Sequence, residues 1–69
     1  MMEVVAPVLL RLPDVERMVG FKRATIYKWM KEGRFPRHIP LGGRMVAWLT
    51  SEVQDWIDAK VAAHDSLAA

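Results

Sequence analysis

The sequence predicts a mainly α-helical domain with a small β-hairpin, a winged helix-turn-helix of three helices plus a two-stranded wing. Three observations predict it. Two short stretches with apolar residues at helical spacing stand on either side of Gly20, the order helix, glycine-bearing turn, helix. A hairpin pattern follows, in which Gly42-Gly43 parts two apolar runs. A third amphipathic stretch then opens near Ser51.

Taken in order, residues 1–8 are apolar without pattern and Pro7 blocks a regular start, so a loose arm is expected there. The domain is expected over 9–62 and a tail over 63–69. Leu9-Leu10-Arg11-Leu12 reads as a short strand or extended lead-in. Pro13 suits the first turn of a helix, where its missing N–H costs nothing, and Asp14 and Glu16 complement the macrodipole there. Val15, Met18 and Val19 give the apolar i, i+3, i+4 face; Gly20 ends the helix and Phe21 is expected to pack beside the bend.

The second helix carries its apolar stripe on Ile26, Trp29 and Met30 and is expected to end in a left-handed cap at Gly33. Phe35-Pro36 and Ile39-Pro40 rule out a helix beyond it. Ile39-Pro40-Leu41 and Arg44–Leu49 then form the hairpin, with Gly42-Gly43 as a two-residue turn and Pro40 confining its strand to an edge. In the last helix Ser51 is expected as N-cap and Gln54 as the reciprocal member of a capping box. Val53, Trp56, Ile57, Lys60 and Val61 follow as its inner face, Lys60 being the exception to the apolar pattern. Glu52, Asp55 and Asp58 make an acidic outer face.

A chain of 69 residues builds one core, for which three Trp, two Phe and five Met are the large fillers. Without Cys there is neither a disulfide nor a Cys-ligated zinc. No apolar run approaches a membrane span, and Met1–Pro7 lacks the basic start of a secretory signal, so a cytoplasmic protein is expected. The net charge of +2 conceals a segregation. Residues 22–44 hold seven Lys and Arg against Glu32 alone, a net +6; three cations against seven acids elsewhere give −4, which restores the total of +2. A positive surface backed by a negative one orients a protein on a polyanion.

The second helix concentrates that signal. Lys22 and Arg23 stand at its amino end, where the macrodipole disfavours cations, and a polyanion docked there would turn the cost into a gain. The segment is therefore read as a nucleic-acid recognition helix; an ordinary solvated basic face is the plainer alternative. Its outward residues Lys22, Arg23, Thr25 and Lys28 are candidates for base edges or phosphates, Arg23 foremost as a bidentate partner of guanine. Thr25 is equally a helix cap through its hydroxyl, and Tyr27 either gives its hydroxyl to a phosphate or packs at the domain edge. Lys31 and Arg34 suit backbone contacts, Arg37 is a further DNA-binding candidate, and Arg44 near the wing tip suits a phosphate or the minor groove. Trp29, Trp48 and Trp56 are core by spacing; base stacking by Trp48 is the sharper alternative.

Nothing in the sequence supports catalysis. His38 and His64 lack companions at a metal-ligand spacing and are expected on the surface, and Ser51 has no base placed beside it. No metal or cofactor is expected.

Several stretches together resemble the AlpA-type prophage regulators, small relatives of excisionase and MerR-like winged helix-turn-helix domains. They are Arg11–Val15, Thr25–Pro36, Leu41–Trp48 and Ser51–Ile57, in that order along the chain. The resemblance covers Leu10 to about Ala59 and implies a bacterial protein on the nucleoid. Its implied activity is sequence-specific binding to double-stranded DNA, as a transcriptional regulator or excision cofactor. Carried over by position, Thr25, Tyr27 and Lys28 fall on the recognition helix, about 23–32, and Arg44 on the wing, 42–44. Implied partners beyond DNA are a second copy on neighbouring sites, a phage integrase or RNA polymerase; no membrane partner is expected. Members often carry Ser near positions 22 and 24, where this chain has Lys22 and Ala24, a departure that touches the cap and the base preference. Two other functions fit the same residues: a protein–protein adaptor using the basic face, and a component that marks phage DNA for packaging.

Overall fold

A computed structural model describes residues 8–68, with side chains to position 66. Of the arm expected over 1–8, all but Val8 lies outside the described residues. The elements follow as β1 (Leu9–Leu10), α1 (Leu12–Val19), α2 (Arg23–Lys31), β2 (Ile39–Gly42), β3 (Met45–Leu49) and α3 (Thr50–Ala68). The expected three helices and hairpin wing are present, and the lead-in adds a third strand. β1 pairs antiparallel with β3, Leu9 opposite Leu49 and Leu10 opposite Trp48, so the sheet order is β1-β3-β2. The Thr50 N–H donates to the Val8 carbonyl at 2.9 Å and prolongs that ladder. Burial of Leu10 holds the short strand in place.

The first helix starts as its residues dictate. Arg11 is its extended N-cap, Pro13 lies in the first turn, and Asp14 Oδ2 accepts the Arg11 N–H at 3.3 Å. Arginine has no acceptor to return the bond, so Asp14 alone caps, and it also pairs with Arg17. Gly20 closes α1 at φ +85°, donating to the Glu16 carbonyl at 2.9 Å. A Cβ at Gly20 would meet nothing within 4 Å, so only the backbone demands glycine. Gly20→Ala is therefore expected to cost about 1–2 kcal/mol, the left-handed penalty alone, read as a lower urea midpoint with an unchanged m-value.

α2 ends in a Schellman turn: the Gly33 N–H donates to Met30 O at 3.1 Å and the Arg34 N–H to Trp29 O at 2.7 Å, with Gly33 at φ +75°. The turn between β2 and β3 is one residue later than expected. Gly42 pairs with Met45, leaving Gly43 and Arg44 as the two-residue loop. Positive φ at Gly43 (+58°) but not at Arg44 is the sign pattern of a type II′ turn. An irregularity in the ladder between Pro40 and Gly42 absorbs the shift, because cross-strand pairing rather than the Gly-Gly pair sets the register.

α3 also departs from expectation at both ends. It begins directly out of β3 at Thr50, so Ser51 lies within the first turn. The capping box does not form, and the Gln54 side-chain amide donates to Asp58 Oδ1 at 2.9 Å instead. Val53 is fully buried and Trp56 and Ile57 half-buried, but every residue from Asp58 to Ser66 is exposed. Val61, expected on the inner face, is 53% exposed, because the helix has by then passed the end of the body it covers. Lys60, the exception in the pattern, lays its ammonium 5.3 Å from the Trp56 ring centre.

The core has Val15, Ile26, Trp48 and Val53 at its centre, one residue each from α1, α2, β3 and α3, with Leu10 and Phe35 at its margins. The Trp48 indole N–H donates to the Pro36 carbonyl at 3.1 Å and so ties the irregular segment before β2 to the core. Beside this centre Phe21, Trp29, Phe35 and Trp56 form an aromatic corner with ring centres 4.8–6.1 Å apart. The Trp56 indole N–H closes the corner by donating to the Arg34 carbonyl at 2.8 Å.

Candidate nucleic-acid interface

Ile26 fixes how α2 lies, since it is the fully buried residue of the helix. With 100° per residue, Trp29 and Thr25 flank it on one side and Met30, Arg23 and Tyr27 on the other. The contacts agree. Trp29 packs in the aromatic corner, whereas Tyr27 turns to the wing and meets the rings of His38 at 5.7 Å and Trp48 at 6.2 Å. Arg23, Tyr27 and Lys31, at i, i+4 and i+8, thus line the wing edge of the helix. The Arg23 guanidinium lies 5.5 Å from the Tyr27 ring centre.

Between this edge and β2 runs a groove walled by Tyr27, Met30 and Lys31 on one side and Arg37, His38 and Pro40 on the other. Lys28 is exposed on the outer crest of α2, Lys22 is its exposed N-cap, and Arg44 is exposed in the loop at the wing tip. None of Lys22, Arg23, Lys28, Lys31, Arg37 and Arg44 makes an ion pair among the described residues. The fold thus brings Tyr27, Lys31 and Arg37 to the two sides of one groove, with Arg23 a turn before Tyr27 on the same edge of α2 and its guanidinium over that ring.

Arg34 is not brought to it. The Schellman turn folds it back over Trp29, 4.6 Å from that ring centre, where it also pairs with Glu32 at 3.2 Å. That is the edge of α2 away from the wing. Thr25 is half-buried, and its N–H donates to the Lys22 carbonyl at 3.0 Å. It therefore stands third in the helix, and the cap position belongs to Lys22. Trp48 is fully buried, which removes base stacking from its roles. His38 is no surface histidine: it is half-buried between Tyr27 and Trp48, and its Nδ1 is buried without a hydrogen-bond partner. His64 is exposed, 3.5 Å from Asp65.

One residue escaped the sequence reading. Lys22 gives the start of α2 no side-chain cap, and the helix has no acid in its first turn. Glu16 of α1 supplies one across the turn, its Oε2 accepting the Arg23 N–H at 2.9 Å. The amino end that looked free for a polyanion therefore already holds a carboxylate. No local capping rule reaches seven residues back, so only the packing of α1 against α2 reveals it. The acids Glu52, Asp55 and Asp58 are exposed on α3, and no described helix is long and apolar enough to cross a membrane.

Comparison with known proteins bears on this arrangement. Residues 8–61 match the model of a family described as Prophage CP4-57 regulatory protein (AlpA). The chain is 45% identical over 53 residues to the uncharacterized protein ORF88 of Enterobacteria phage P4, covering 77% of this chain and 60% of that one. It is 34% identical over 58 residues to the DNA-binding transcriptional activator AlpA of Escherichia coli K12, covering 75% of this chain and 83% of that protein. The match takes in β1, all of α1, α2 and the wing, and the packed half of α3. The chain belongs to the AlpA family of prophage regulatory proteins.

Proposed function

We propose that this protein is a double-stranded DNA-binding transcriptional regulator of the prophage type, acting in the bacterial cytoplasm on the nucleoid. The observation that carries the reading is the distribution of partnered and unpartnered cations. Away from the groove, Arg17 and Arg34 are matched with carboxylates, Lys60 lies on the Trp56 ring, and Arg11 makes no ion pair among the described residues. Lys22, Arg23, Lys28, Lys31, Arg37 and Arg44, on α2 and the wing, have none among the described residues. Unmatched cations held on neighbouring elements suit a surface whose counter-charges come from a ligand with regularly spaced phosphates. The name of the E. coli relative points the same way.

In this reading α2, nine residues and about 13 Å long, enters the ~12 Å major groove. Arg23 reaches guanine, Thr25 and Lys28 adjoin bases or phosphates, and the Tyr27 hydroxyl, Lys31 and Arg37 hold the strand that passes between helix and wing. Arg44 follows on to the next phosphate or the minor groove. Arg34, stacked on Trp29, drops out of the contact set. Action at a promoter brings RNA polymerase as partner; action at an attachment site, as excision cofactor, brings a phage integrase. A domain of this size offers few base contacts, so a second copy on an adjacent site adds discrimination.

Selection from a random duplex pool tests the reading, with one enriched motif as the expected outcome. A pool that stays unenriched, together with no duplex binding at low salt, removes it; capture of an acidic protein by the same face would then favour an adaptor.

A further inference from the structure

We propose that Glu16 is a positioning and discrimination residue: it seats the recognition helix and denies that helix's amino end to backbone phosphate. The inference rests on the DNA reading above and deepens it. Glu16 is half-buried, and among the described residues no ion pair involves it. Its neighbour Arg17 is matched with Asp14, so the Glu16 carboxylate is committed to the end of α2.

Two consequences follow from that bond. The first is geometric. The first residue of α2 is tied to α1, which fixes the roll of the helix about Ile26. The Arg23 side chain then leaves on the wing side and rests over Tyr27 rather than folding back on Glu16. An arginine parked on a ring is pre-set for the geometry of a base edge.

The second is electrostatic. A bare helix N-terminus is a ready seat for a phosphate. Here a carboxylate occupies it, and a phosphate approaching the same N–H groups meets a like charge. Sequence-independent docking, which depends on phosphates, loses one grip. A complex in which Arg23 finds its base loses less, because its gain comes from the base edge. Glu16 thereby weakens general DNA binding more than specific binding.

Glutamine separates the two roles, because it keeps the acceptor oxygen and the length but drops the charge. The test compares the unchanged chain with Glu16→Gln and Glu16→Ala by fluorescence anisotropy at low salt. The probes are the duplex the unchanged chain selects and a scrambled duplex of the same composition. Glu16→Gln is expected to keep the thermal midpoint, to bind the scrambled duplex about fivefold more tightly and to change less than twofold on the selected one. Glu16→Ala is expected to lose affinity for the selected duplex and to exchange the amide hydrogens of Arg23–Thr25 faster. Unchanged discrimination in Glu16→Gln would overturn the inference and leave Glu16 a helix cap only. A chain that selects no duplex at all overturns the DNA reading itself and this inference with it.

Discussion

Trp48→Ala is expected to leave the chain largely unfolded at room temperature. Trp48 is completely buried at the meeting of β1, α2 and β3, opposite Leu10 in the sheet and against the Tyr27 ring. Truncating a buried tryptophan costs about 3–5 kcal/mol in lost transfer free energy and residual cavity. A domain of 69 residues has only about 3–10 kcal/mol of stability to lose. The indole N–H also holds the Pro36 carbonyl, so the segment leading into the wing loses its anchor together with the core. Trp48→Phe separates the two contributions: it keeps most of the volume and removes the donor, for an expected loss of about 1–2 kcal/mol. Far-UV circular dichroism in a urea series reads both, and a Trp48→Ala midpoint close to that of the unchanged chain would refute this picture of the core.

Arg23→Ala is expected to lower affinity for the selected duplex by about 1–3 kcal/mol, roughly 5- to 150-fold, and to flatten preference at one base pair. The backbone explains why the loss falls on binding and not on folding. Glu16 holds the N–H of residue 23, which alanine retains, and the side chain is exposed, resting over the Tyr27 ring with no ion pair among the described residues. Arg44→Ala makes the contrast. It stands in the wing loop, so its removal is expected to weaken all duplexes alike and to reduce the slope of log affinity against log salt by about one. Anisotropy titrations on selected and scrambled duplexes over a salt series distinguish the two patterns. Equal losses from Arg23→Ala on both duplexes would move Arg23 from base reading to backbone holding.

What the sequence made legible is what short-range rules govern. Pro13, Gly20 and Gly33 each act within a turn of their own position, and each stands where its backbone preference placed it. Apolar periodicity likewise found Val15, Ile26 and Val53 as the buried residues of their helices. The departures have one cause in common, a partner distant in sequence. The wing turn moved by one residue because register belongs to the pair of strands. The capping box at Ser51 gave way because α3 issues straight from β3.

The same distinction runs through the candidate site. Charge segregation pointed to α2 and the wing as the basic side, since composition needs no tertiary knowledge. Which cations stay free within that side did not follow from it. The left-handed Gly33 turns the chain back along α2, so that Arg34 lands on Trp29. His38 reads as a surface residue until the neighbouring Tyr27 and Trp48 rings enclose it. The Glu16 cap depends on two helices crossing, which neither helix encodes alone.

The central claim is that one side of this body, α2 with the wing, meets the duplex while the acidic face of α3 turns away. Amide chemical-shift mapping during titration with the selected duplex tests it most directly. The expected result is that shifts gather at Lys22–Lys31, Arg37–Ile39 and Gly43–Arg44, while Glu52, Asp55 and Asp58 stay still. Shifts centred on α3, or none at a duplex concentration that saturates anisotropy, would contradict it.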